Sequence, residues 1–124
     1  MKRLVVMLLL GLGGAAQAAE RVSAEALRTR QAAGEALLVL DVRTPAEYAQ
    51  GHVPGAINVP HDEVTAAHPR LAAWRERPVV VYCRSGRRSA LAIETLEKAG
   101  FTRVQHLEGD MLGWQAARQP VARP

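Results

Sequence analysis

Two nearly uninterrupted apolar runs constrain the fold of this chain more than any other feature. They are Leu37 to Val42 (Leu-Leu-Val-Leu-Asp-Val) and Val79 to Tyr82 (Val-Val-Val-Tyr). A strand with one wet face alternates apolar and polar residues. A run without alternation reads as a strand covered on both faces, as in a parallel sheet wrapped by helices. The segments between and around the runs supply the helices. Ser23 is placed to cap a helix running to about Ala33, with Glu25 in its first turn and Gly34 as its stop. Thr44-Pro45-Ala46-Glu47 has the pattern of a capping box with proline at the first helical position. Ala56 to Val59 reads as a short strand closed by Pro60, and His61 to Trp74 as a helix interrupted at Pro69. The spacing of Leu91, Ala92, Leu96 and Ala99, with Ile93 beside them, predicts a helix from Ser89 to Ala99, ended by Gly100. Thr102 to Leu107 is expected as a further strand, and Asp110 to Arg118 as a last helix. Strands alternating with helices imply an α/β fold: a small parallel sheet flanked by helices on both faces. Ligands of such sheets bind beyond the carboxyl ends of the strands.

The N-terminus is expected to lie outside that fold. Lys2 and Arg3 precede an apolar stretch from Leu4 to Leu12, too short to span a bilayer. Ala16-Gln17-Ala18 places small residues where a signal peptidase reads them, so residues 1–18 read as a cleaved signal peptide. Residues 19–124 then form a single exported domain, with a periplasmic location and no stable membrane anchor. Lys2 and Arg3 account for two units of the formal net charge of +4. With few aromatic residues and no basic stripe at helical spacing, the remaining charge gives no case for nucleic-acid binding.

Cys83 is the only cysteine. It cannot form an internal disulfide, and in an oxidising compartment an odd thiol is either buried and inert or kept for its reactivity. Its surroundings favour reactivity. It ends the second apolar run and opens Cys83-Arg84-Ser85-Gly86-Arg87-Arg88-Ser89, ahead of a helix. Backbone N–H groups, a helix N-terminus and arginines all favour a thiolate and attract an anion. Ser85 and Gly86 are small enough to let the backbone curl round the sulfur, with Gly86 free to take positive φ and Ser89 suited to cap the helix.

Two stretches carry a resemblance to the rhodanese-like sulfurtransferases. One runs from Asp41-Val42-Arg43-Thr44-Pro45-Ala46-Glu47-Tyr48 through Gly51-His52-Val53-Pro54-Gly55-Ala56-Ile57-Asn58-Val59-Pro60; the other is Tyr82 to Ser89. Gly109 to Trp114, followed by Pro120, resembles the closing segment of the family. An exported single domain of this size is similar to the family's periplasmic phage-shock-protein-E type. The resemblance implies a rhodanese-like fold and transfer of sulfane sulfur from thiosulfate or a similar anionic donor, through a Cys83 persulfide, to a thiol or cyanide. It implies no metal or organic cofactor. The loop from Cys83 to Arg88 has the spacing C-x4-R. Cysteine phosphatases and related arsenate reductases use C-x5-R, a larger cradle for a tetrahedral oxyanion, so the shorter ring fits a single sulfur better.

Around Cys83, Arg84 and Arg87 are expected to face the substrate and Arg88, at the family's arginine position, to brace the loop. Asp41, at a strand end, is a supporting residue that orients Arg88 or the loop, or serves only as a strand-end turn. Arg43 and Glu47 are expected to pair at the surface, and Glu47 needs no role beyond the capping box. His52 belongs to a motif that is scaffold in the resembling family. His61, His68 and His106 have no metal-ligand spacing, and Trp74 and Trp114 read as core or pocket-edge residues. The rival readings are a sulfur-carrier or binding module serving a protein partner, a phosphatase or oxyanion reductase, and a redox-sensing thiol.

Overall fold

A computed structural model of the protein describes residues 19–124; the expected signal segment, residues 1–18, lies outside them. Five parallel strands form one sheet in the order β1-β5-β4-β2-β3. The strands are β1 (Glu20–Val22), β2 (Leu38–Asp41), β3 (Ile57–Asn58), β4 (Val79–Tyr82) and β5 (Val104–Leu107). The helices are α1 (Ala24–Ala32), α2 (Pro45–Gln50), α3 (Arg87–Lys98) and α4 (Asp110–Ala116). No helix among the described residues is long and apolar enough to cross a membrane.

The two apolar runs become neighbours at the middle of the sheet. β2 and β4 pair in register from Leu38 opposite Val79 to Asp41 opposite Tyr82, and every residue of both strands is buried. Each face is covered. On one, α3 packs Ala92, Ile93 and Leu96 against Leu38, Leu40, Val79 and Val81, with Val64 and Leu71 closing the layer. On the other, Leu27 of α1 and Met111 and Trp114 of α4 pack against Val39, Val80 and Tyr82. Trp114 is fully buried and its Nε1 donates to the Pro120 carbonyl, whereas Trp74 is half-buried at the edge of the α3 layer.

Local signals at the helix starts hold for two helices. Ser23 Oγ accepts from Ala26 N–H, and Thr44 and Glu47 form the full capping box. Three expectations change. His61 to Trp74 contains only two 3-10 turns, His61–Glu63 and Ala72–Trp74. Pro69 removes a backbone donor, and this stretch packs on the core through Val64 and Leu71 with no continuous helical stripe. Glu20–Val22, unassigned from sequence, adds an edge strand against β5. Three residues are too short to carry a period, so only the neighbouring strand reveals it. Finally, α3 begins at Arg87, with Gly86 as its N-cap, so Ser89 lies inside the helix and does not cap it.

Asp41 and Arg43 form a buried ion pair at the carboxyl end of β2, Nη2 to Oδ2 2.7 Å, and not the surface pair expected between Arg43 and Glu47. Arg43 Nη2 also donates to the Gly51 carbonyl, and Asp41 Oδ2 accepts the Tyr82 hydroxyl at 2.6 Å. The same hydroxyl accepts from Val53 N–H. Burial would lower the basicity of Arg43, but the Asp41 carboxylate outweighs it and holds the guanidinium charged. Burial, followed by the Asp41 charge, pushes the Tyr82 phenol far above its ordinary range. The network ties the Gly51–Val53 turn to the two central strands. Removing one member of a buried pair strands the other charge, at a cost of about 3–5 kcal/mol. Arg43→Met should therefore lower the unfolding free energy by about that amount in urea titration. A loss below about 1 kcal/mol would show that water already solvates Asp41.

Candidate active site

Cys83 follows the last residue of β4, the third strand of five. From β2 the chain steps outward to β3; from β4 it steps the other way to β5. The carboxyl ends of β2 and β4 thus flank the point where the winding reverses, the usual location of a ligand in an open parallel sheet. Cys83 is 1% exposed and packs with the α3 layer. Its Sγ accepts the N–H of Gly86 at 3.0 Å. The full ring of donors anticipated from the loop is not formed: among the described contacts, Gly86 provides the hydrogen bond to sulfur. Gly86 has φ 120°, a conformation that favours glycine, and a Cβ there would sit 3.2 Å from Asp110 Oδ2, a tight approach.

Two helix starts hold the loop. α3 leaves it directly at Arg87. α4 points its first N–H groups at the loop backbone: Met111 N–H donates to the Cys83 carbonyl at 2.9 Å and Leu112 N–H to the Arg84 carbonyl at 3.1 Å. These are donors that a helix cannot satisfy internally. Asp110 completes the support. Its Oδ1 accepts Cys83 N–H at 3.0 Å and the Ser89 hydroxyl at 2.8 Å. His106 Nε2 lies 2.9 and 3.0 Å from the two carboxylate oxygens, so it donates to them. Burial raises the Asp110 carboxyl pKa, but His106, Cys83 N–H and Ser89 together hold it below the ordinary range. Asp110 is 2% exposed and has φ 53°, a left-handed conformation that costs a non-glycine residue about 1 kcal/mol.

The remaining residues singled out from sequence separate into groups. Ser85 is exposed at the loop tip. Arg84 and Arg87 are exposed, and neither has a carboxylate partner among the described residues. Arg88 is half-buried and makes a two-pronged pair with Glu47, Nη1–Oε1 2.6 Å and Nη2–Oε2 3.0 Å. Glu47 thus has a second partner besides its cap. Asp41 hydrogen-bonds neither Arg88 nor the loop. Side chains alternate along a strand, and Asp41 stands opposite Tyr82 on the face away from Cys83. His52 is buried, stacked on Tyr48 at 3.7 Å between ring centroids, and donates Nδ1–H to the Tyr48 carbonyl. No group of three or more His, Cys, Asp or Glu side chains among the described residues is placed to hold a metal ion. Asp110 and His106 were not legible as site residues. The one local signal is their i,i+4 spacing across Gly109, and neither carries the loop pattern.

The Arg88 guanidinium, first by its hydrogen bonds, draws the Glu47 carboxyl from 4.5 down to about 2, against a smaller opposing effect of burial. A carboxylate whose pKa is depressed on folding adds stability above its unfolded value and loses it as pH falls through the folded one. The stability advantage of the protein over its Glu47→Gln variant should therefore be full above pH 4.5 and shrink as the pH approaches 2. Denaturant titrations across that window measure it; a gap that persists at the acid end would place its origin in packing.

The rhodanese-like domain family matches residues 23–117. A sulfurtransferase of Allochromatium vinosum is 37% identical over 103 residues, covering 83% of this chain and 94% of that protein. The thiosulfate sulfurtransferase PspE of Escherichia coli is 41% identical over 70 residues, covering 56% of this chain and 67% of PspE. Other curated relatives are longer, and the chain spans 28% of one and 49% of another. Among solved structures, the Alr3790 protein from Anabaena superposes with a TM-score of 0.73 at 29% identity, covering 83% of this chain and 82% of that one. With its parallel sheet and its cysteine loop at the end of the central strand, the chain belongs to the rhodanese-like family, alongside these sulfurtransferases.

Proposed function

We propose that the protein is a thiosulfate sulfurtransferase that carries sulfur as a persulfide on Cys83, and that it works in the periplasm after loss of residues 1–18. The observation that carries the reading is the Gly86 N–H on Cys83 Sγ at 3.0 Å, inside a loop that starts at the carboxyl end of the central strand. A sulfur that accepts a backbone N–H is stabilised as an anion, which favours Cys83 both as the attacking and as the leaving thiolate. The adjoining start of α3 adds the positive end of its dipole. Arg84 and Arg87, without carboxylate partners among the described residues, bring positive charge to the mouth of the loop.

In the first step the Cys83 thiolate attacks the outer sulfur of thiosulfate. The S–S bond of the donor breaks, sulfite leaves with the electron pair, and a Cys83–S–S⁻ anion remains. In the second, cyanide or a thiolate attacks the terminal sulfur of the persulfide, and the Cys83 thiolate is regenerated as the leaving group. No net oxidant or reductant is consumed. Two covalent half-reactions predict ping-pong kinetics.

Intact mass before and after thiosulfate, and again after cyanide, tests the reading. The expected result is a gain of one sulfur atom that maps to Cys83 and is lost to cyanide. The Cys83→Ser variant should show neither the gain nor turnover. A free thiol that never gains sulfur from thiosulfate would refute that donor and favour a carrier loaded by a protein partner. Replacing Arg84 or Arg87 by Ala should raise the thiosulfate KM more than it lowers kcat, and the wild-type rate should fall with added salt. Steady-state kinetics at two ionic strengths check both statements, and unchanged KM values would remove the two arginines from the donor site.

A further inference from the structure

We propose that Asp110 and His106 form a positioning pair for Cys83, in which Asp110 sets the loop around the sulfur and His106 draws the carboxylate's charge away from it. The inference rests on Cys83 being the nucleophile of the reaction proposed above. Asp110 meets the loop at three places: it accepts from Cys83 N–H, accepts from Ser89 Oγ, and lies directly beneath Gly86, whose own N–H holds the sulfur. The carboxylate is therefore built into the geometry that holds the anion, yet its charge opposes that anion. A bare carboxylate there would favour the protonated, unreactive thiol. His106 answers this by donating Nε2–H to both oxygens. The other charges at the loop are the cations Arg84 and Arg87, exposed, and Arg88, whose charge is matched by Glu47. Asp110 and His106 thus decide how much of the arginine field reaches the sulfur. The left-handed backbone of Asp110 fits the same reading: a strained residue persists where its side chain is tied down by its surroundings.

The test uses a readout that needs no sulfur donor, so that it stands apart from the choice of thiosulfate. The alkylation rate of Cys83 by iodoacetamide, followed by intact mass at one neutral pH, reports thiolate nucleophilicity. His106→Ala should slow alkylation about tenfold. Asp110→Asn, which keeps an acceptor for Cys83 N–H and Ser89, should react at least as fast as wild type. The double variant should return to the wild-type rate, because with the charge gone the imidazole has nothing to offset. A purely structural role predicts that the double variant is no faster than His106→Ala. That result, or a His106→Ala rate equal to wild type, would overturn the proposal. Should His106→Ala unfold, His106→Gln, which retains a donor of similar reach, is expected to react at an intermediate rate and to be accelerated by Asp110→Asn; no acceleration would equally overturn it. If Cys83 follows this pattern while thiosulfate adds no sulfur, the pairing stands and only the donor is wrong.

Discussion

Side-chain alternation along β4 organises this molecule. Tyr82 and Cys83 are consecutive, so they leave the central strand on opposite faces of the sheet. The phenol enters a buried polar network with Asp41 and Arg43 that pins the Gly51–Val53 turn. The thiol enters the α3 side, where the loop to Arg87 closes over it. A shift of one residue in this strand would exchange the two and place a phenol in the cysteine loop. The register is held at the strand ends, where Tyr82 stands opposite Asp41 and donates its hydroxyl to the buried carboxylate, a partner that a slip would remove.

The two networks differ in what they contribute. The Asp41–Arg43 pair is removed from water, and its formation barely offsets the desolvation of two ions. Its value is in specificity: neither charge is tolerated without the other, so the turn carrying His52 and Val53 has a single satisfactory position. The loop network balances charge. Arg88 is matched by Glu47, and Asp110 is tied to His106, while Arg84 and Arg87 stay exposed. A loop with every arginine paired would attract no anion. The observed pairing leaves positive charge at the mouth and a hydrogen-bonded sulfur below it.

No internal disulfide is available to a chain with one cysteine. Rigidity at the site comes from secondary structure. The N–H groups of α4 that lack internal partners are consumed by the carbonyls of Cys83 and Arg84, and α3 departs from the loop itself. The backbone around the sulfur is thus fixed by the ends of two helices packed on opposite sides of the sheet, a stiffer arrangement than a free connection of the same length.

The residues alone determined the architecture and singled out Cys83 as the candidate nucleophile. Unalternating apolar runs at Leu37–Val42 and Val79–Tyr82 demand burial on both faces, the Thr44–Glu47 capping box is a local hydrogen-bond pattern, and a lone cysteine ahead of an arginine-rich turn is a local chemical one. Such features act over a few residues and are legible in order along the chain. What tertiary structure decided was every partnership across the sheet. Arg43 looks like a surface partner for Glu47 because the two are close in sequence, but the bend after β2 turns it inward to Asp41, and Glu47 meets Arg88 instead. Ser89 looks like a cap because it precedes an apolar stripe, yet the glycine three residues earlier takes the positive φ that starts the helix. Asp110 and His106 join the site only because β5 lies beside β4 and α4 points back at the loop. Long-range pairing is set by which strands neighbour one another, and no local pattern of residues encodes that adjacency.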